Sequence, residues 1–141
     1  MKDLDQAKIL LEQGGYTCVL CHGEVTLTTE LRGVRPLVRW LESGRNLAGF
    51  SAADGVVGKA TAYLYVLLGI RAVFARVMSE SALAVLTAHG VTAHYGSLAA
   101  HIINRSGDGI CPFEAAVLDI HDPREAHGAI LKKMEQMGIP V

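Results

Sequence analysis

Two segments of this chain carry most of the side chains capable of chemistry. The first is Ala53-Asp54-Gly55-Val56-Val57-Gly58-Lys59, a carboxylate, two glycines and a lysine leading into an apolar run. The second is Asn104-Arg105 followed by Cys111-Pro112-Phe113-Glu114. A carboxylate can move a proton, a lysine can stabilise developing negative charge, and a thiol at a helix start can act as a nucleophile. Both segments read as helix starts facing a shared pocket. The first turn of a helix presents unpaired amides and partial positive charge, which attract anions.

Neither segment matches a motif with a fixed reaction. Gly55 to Thr61 resembles a phosphate loop in outline, but a Walker A loop needs glycine five residues before Gly58 and a hydroxyl directly after Lys59. The chain has Ala53 and Ala60 there. Lys59 is locally disfavoured at a helix start, and two readings offset that cost. Either Lys59 snorkels to solvent while Asp54 caps the helix, or both face a polar or anionic ligand. Cys111, Pro112 and Glu114 fit N-cap, N1 and N3 of a capping box, with cysteine in place of serine. The other reading makes Cys111 a nucleophile, although no base is assignable and Glu114 opposes thiolate formation. Structure or ligand contact is the favoured reading.

Other reactive residues have plainer roles. Cys18-Val19-Leu20-Cys21-His22 matches the spacing of haem attachment. It falls in a predicted strand, where residues three apart point to opposite faces, so the cysteines read as small core residues. His89, His94, His101, His121 and His127 show no metal-ligand spacing. Arg32 and Arg35 stand at the start of another helix, and Arg105-Ser106-Gly107-Asp108-Gly109 reads as a loop able to close over a pocket.

Elements must hold these groups in place. Apolar Leu4, Ala7, Leu10 and Leu11 predict a helix over Asp3 to Gln13 ended by Gly14-Gly15. Tyr16 to Cys21 and Glu24 to Thr28 predict a hairpin around His22-Gly23. A helix over Arg35 to Glu42, a short strand over Leu47 to Ser51 and a helix over Val56 to Leu68 follow. The last is apolar on nearly every face and must be covered on several sides. Ile70 to Met78 predicts a strand, Ser79 to His89 a helix capped by Ser79, and Val91 to Tyr95 a strand. Helices from Pro112 and from Asp122-Pro123 to Gly138 close the chain. Alternating strands and helices imply an α/β layered domain with parallel strands, whose ligands bind where strands end and helices begin.

Composition sets the class. The chain has 141 residues, 50% hydrophobic and 19% charged, with a formal net charge of -1. That describes one domain, with a core over about 3–96 and a C-terminal motif and helical extension over about 97–141. A chain this long buries roughly 68–70% of its unfolded surface and needs no disulfide or structural metal. Scattered Lys and Arg argue against nucleic acid as a partner. No apolar stretch spans a bilayer, and the N-terminus is neither a secretory nor a transit signal, so no membrane is expected and a cytoplasmic location is. High apolar content is compatible with a homodimer.

Gly33-Val34-Arg35-Pro36-Leu37, then Asp54 to Lys59-Ala60, then Ile103-Asn104-Arg105 and Cys111-Pro112-x-Glu114, together resemble a small uncharacterised prokaryotic family, domain of unknown function 1893. Its members are similar to cytidine deaminases in fold. The resemblance implies a three-layer αβα sandwich with a mixed sheet of about five strands and extra C-terminal helices. Zinc deaminases need H-x-E or C-x-E at one helix start and P-C-x-x-C at the next. This chain has Gly33-Val34-Arg35-Pro36 and Asp54 to Lys59 instead, so no metal or other cofactor is expected. The expectation is a zinc-free binding protein for a small polar or phosphorylated, nucleotide-like ligand held by Arg35, Asp54, Gly58, Lys59, Asn104, Arg105, Cys111 and Glu114. The alternative is a metal-independent enzyme using Asp54 or Glu114 as acid or base, Lys59 for charge stabilisation and Cys111 as nucleophile.

Overall fold

The computed structural model describes residues 2–141. Helix α1 (Lys2–Gly14) buries Leu4, Ala7 and Leu11, spaced to fall on one face. Strands β1 (Cys18–His22) and β2 (Val25–Thr29) form an antiparallel hairpin. Its turn is made by Gly23 at φ +60°, a conformation glycine adopts without strain. Helix α2 (Arg35–Glu42) has the predicted bounds, with Pro36 in its first turn, where the missing N–H costs nothing.

The next elements differ from the expected ones. Leu47 to Phe50 is irregular, and β3 runs from Ser51 to Val57, so Asp54, Gly55, Val56 and Val57 are strand residues. Helix α3 starts only at Lys59 and ends at Leu68. Polar Asp54 and Gly55 read as a break in the sequence, but the strand continues through them because Asp54 finds partners inside the fold. It pairs with Cys18 on one side and Ala75 on the other. Asp54 therefore does not cap α3.

Strand β4 (Ala72–Ser79) leads to α4 (Glu80–Ala88), and the Ser79 hydroxyl accepts the Ala82 amide at 3.1 Å as an N-cap. Strand β5 (Thr92–Ala99) is longer than expected and passes through Gly96. A Cβ at Gly96 would meet the Arg76 carbonyl at 2.9 Å, so the close approach of β4 and β5 requires glycine there. Helices α5 (Pro112–Ala116) and α6 (Pro123–Gln136) follow, the second capped by Asp122.

The five strands form one mixed sheet in the order β2-β1-β3-β4-β5. β1 is antiparallel to both its neighbours, while β3, β4 and β5 are parallel. Side chains alternate across the sheet. Val19, Cys21 and Ala53 face α1, and Cys18, Leu20 and Ala52 face the other helices. Cys18 and Cys21 therefore lie on opposite faces, both as free buried thiols. Helix α3 has eight buried residues of ten, because the sheet, α2, α4 and α6 all pack against it. Among them α6 contributes Ala126, Ile130 and Met134 to the main core. No described helix is long and apolar enough to cross a membrane.

Candidate functional site

A cavity of about 460 Å³ opens where β3 gives way to α3. Asp54, Gly55 and Gly58 form its floor, Gly33, Val34 and Leu37 from the start of α2 form one wall, and Ile102, Cys111, Phe113 and Glu114 form the roof. This is the carboxyl end of a strand beside the amino end of a helix, as expected for parallel β-α units. The volume lies within the range of small-molecule sites.

Asp54 anchors a buried polar chain at the floor. The Tyr65 hydroxyl donates to Asp54 Oδ2 at 2.6 Å, and Cys18 Sγ lies 3.2 Å from the same hydroxyl. Asp54 Oδ1 accepts the Val56 amide at 3.4 Å. Burial pushes the Asp54 carboxyl up from its ordinary 3.8 to about 6, against the opposing effect of the Tyr65 and backbone hydrogen bonds. The Tyr65 hydroxyl and the Cys18 thiol are both raised well above their ordinary values, first by burial and then by the Asp54 charge. Both therefore stay protonated, which leaves Asp54 as the titrating member of the three.

Glu114 is the roof's counterpart. It is only 6% exposed, and its Oε1 is buried without a hydrogen-bond partner. The carboxyl lies over the start of α3, so close that a Cβ on Gly58 would come within 2.5 Å of Oε1 and 2.9 Å of Cδ. Glycine at the N-cap of α3 is what gives the carboxyl room. The expected capping box does not form. The Cys111 amide donates instead to the Ile102 carbonyl at 2.9 Å, next to the Ile103–Ile110 bridge, and the Cys111 side chain makes no cap hydrogen bond. With its backbone satisfied by residues before it, α5 leaves Glu114 free to reach α3.

Asp54, Gly58, Cys111 and Glu114 thus line one cavity, although 50 or more residues separate the two pairs in sequence. The other four candidates stand apart. Lys59 is buried, and its Nζ donates to the Leu118 carbonyl at 2.9 Å, so it neither snorkels to solvent nor enters the cavity. The α5–α6 connection, unseen in the sequence pattern, supplies the acceptor that draws it away. Arg35 is not a lining residue, and its Nε is buried without a partner. Asn104 is occupied with Asp108, donating from Nδ2 at 3.0 Å and accepting the Asp108 amide at 3.2 Å. Arg105 is exposed on the same turn, outside the lining.

Sequence reasoning did not select Tyr65, Cys18, Thr17 or Arg76 for this cavity. One signal was available for Tyr65: a hydroxyl in a helix buried on all sides must find a partner. Thr17 ties the segment entering α2, its hydroxyl donating to the Leu31 carbonyl, and Arg76 donates to the Leu11 carbonyl at 3.1 Å from the rim. No group of three or more His, Cys, Asp or Glu able to hold a metal ion is found among the described residues.

The family described as a domain of unknown function (DUF1893) matches residues 6–134. A crystal structure of a DUF1893 family protein from Thermotoga maritima is similar over 94% of this chain and 90% of that one, with 26% sequence identity and a TM-score of 0.85. No curated protein matches the sequence.

Proposed function

The chain belongs to the DUF1893 family, and we propose that it binds a small polar ligand, nucleotide-like in size, in the cavity between the starts of α2 and α3. The observation that carries this reading is Glu114, a nearly buried carboxyl that lines the cavity and whose Oε1, set against Gly58, has no partner in the protein. Burying such a group costs on the order of 1–3 kcal/mol or more, a cost the fold would shed if the position did nothing. The element order supports a cytidine-deaminase-like scaffold, here without the zinc-ligand pattern. Arg32 and Arg76 at the rim supply positive charge for a phosphate or carboxylate at the outer end of the ligand.

A second reading rests on Asp54. A carboxyl lifted to about 6 at a cavity floor is matched to proton transfer near neutral pH. In that case Asp54 is the acid or base, and Tyr65 holds its orientation.

A thermal-shift panel of nucleosides, nucleotides, sugar phosphates and amino acids tests the binding reading, with Glu114→Gln run alongside. A ligand at a hundred times its Kd adds about 2.7 kcal/mol and a visible rise in Tm. A rise reduced in the variant supports the site. A silent panel counts against it.

A further inference from the structure

We infer that the group a ligand places against the start of α3 is a hydrogen-bond donor of amidinium, guanidinium or ammonium type, and not an anion. This rests on the proposed use of the cavity as a ligand site. A helix start ordinarily favours phosphate or carboxylate. Here the anion is built into the protein, because Glu114 occupies the space over Gly58 with no room for even a methyl group between them. The cation of that turn is unavailable to a second anion, since Lys59 Nζ is held by the Leu118 carbonyl.

The remaining chemistry points the same way. Asp54 supplies a second carboxyl in the cavity, and among the described residues neither Asp54 nor Glu114 forms an ion pair. An unpartnered Glu114 oxygen and the Asp54 carboxyl, which accepts from Tyr65 and Val56, enclosed by Val34, Leu37, Ala60 and Phe113, fit a compact apolar body carrying N–H donors at its inner end. A carboxylate or phosphate at the same depth would meet like charge in a poorly solvated space. The rim arginines remain open to an outer anionic group, so the two ends of the ligand carry opposite polarity.

Benzamidine and benzoate, nearly equal in shape and opposite in charge, separate the two cases. Saturation-transfer NMR titrations with both are run on the wild-type protein, on Glu114→Gln, which keeps size and removes charge, and on Gly58→Ala, whose Cβ displaces the carboxyl. Circular dichroism confirms that each variant is folded. Benzamidine is expected to bind at millimolar or lower concentration and to bind both variants tenfold or more weakly, whereas any benzoate binding, with its carboxylate at the rim arginines, is expected not to weaken in Glu114→Gln. Benzoate binding weakened tenfold in Glu114→Gln, or benzamidine binding unchanged in folded Glu114→Gln, overturns the inference and leaves the cavity reading standing. Neither fragment binding overturns the inference. If the broad ligand panel is also silent, the cavity reading falls with it.

Discussion

Replacing Asp54 with asparagine should make the protein more stable at neutral pH and nearly unchanged in acid. Burial raises the Asp54 carboxyl from 3.8 to about 6, so the folded chain holds this proton more tightly than the unfolded chain. The stabilising contribution is therefore complete below about pH 4 and is lost as the pH rises through 6. Linkage gives a loss of about 1–2 kcal/mol at pH 5 and about 3 kcal/mol at pH 8, when the folded state carries an ionised, poorly solvated carboxylate. Asparagine keeps one oxygen to accept from Tyr65, loses only the long 3.4 Å bond from Val56 at every pH, and does not titrate. The stability gap between Asp54→Asn and wild type should thus widen by about 1 kcal/mol between pH 5 and pH 8. With a urea m-value of about 2 kcal/mol/M, the midpoint difference grows by about 0.5 M. Urea melts of both proteins at several pH values measure it, since titrations common to the two cancel in the difference. Curves that stay parallel from pH 5 to pH 8 would refute the argument that Asp54 is desolvated at the cavity floor. A widening gap would mark Asp54 as a residue whose charge weakens the fold, the pattern expected where a site is kept for function.

Tyr65→Phe leaves the Asp54 carboxylate without its closest donor and should cost about 1–3 kcal/mol at pH 8 in the same urea assay. Lys59→Ala breaks the tie between α3 and the Leu118 carbonyl. It should loosen the α5–α6 region, read as faster proteolysis there, while a ligand's intrinsic affinity measured on intact protein changes less than threefold. Iodoacetamide should label Cys111 alone in the native protein, because Cys18 and Cys21 are buried, and all three thiols in urea. Mass spectrometry counts the adducts, and a Cys111 adduct should also block ligand binding because that residue lines the cavity. Rapid native labelling of Cys18 would mean that the cavity floor opens to solvent.

Local patterns account for what could be read before the fold was known. The α2 bounds follow from Arg35-Pro36 and Glu42, and the cap at Ser79 follows from a hydroxyl just before an apolar helix. The opposite facing of Cys18 and Cys21 follows from the two-residue period of a strand. The crowding around α3 follows from a helix with no polar face. Even the meeting of Asp54 and Gly58 with Cys111 and Glu114 was accessible, since both segments carry helix-start signals and helices begin beside strand ends in this class of fold.

The positions of individual charges were not accessible in this way. Asp54 belongs to a strand and not to a cap because Cys18, Ala75 and Tyr65, all distant in sequence, supply its neighbours. Lys59 leaves the cavity because Leu118 offers a buried carbonyl, and Glu114 enters it because Ile102 has already taken the amide that a capping box would use. Hydrophobic periodicity and turn chemistry act over one or two turns of chain, so sequence alone determined most of the elements and their α/β alternation, but not the bounds of β3 and the start of α3. A buried polar atom is satisfied by whichever partner the completed packing brings within 3 Å or so, and only the tertiary structure could decide which partner that is.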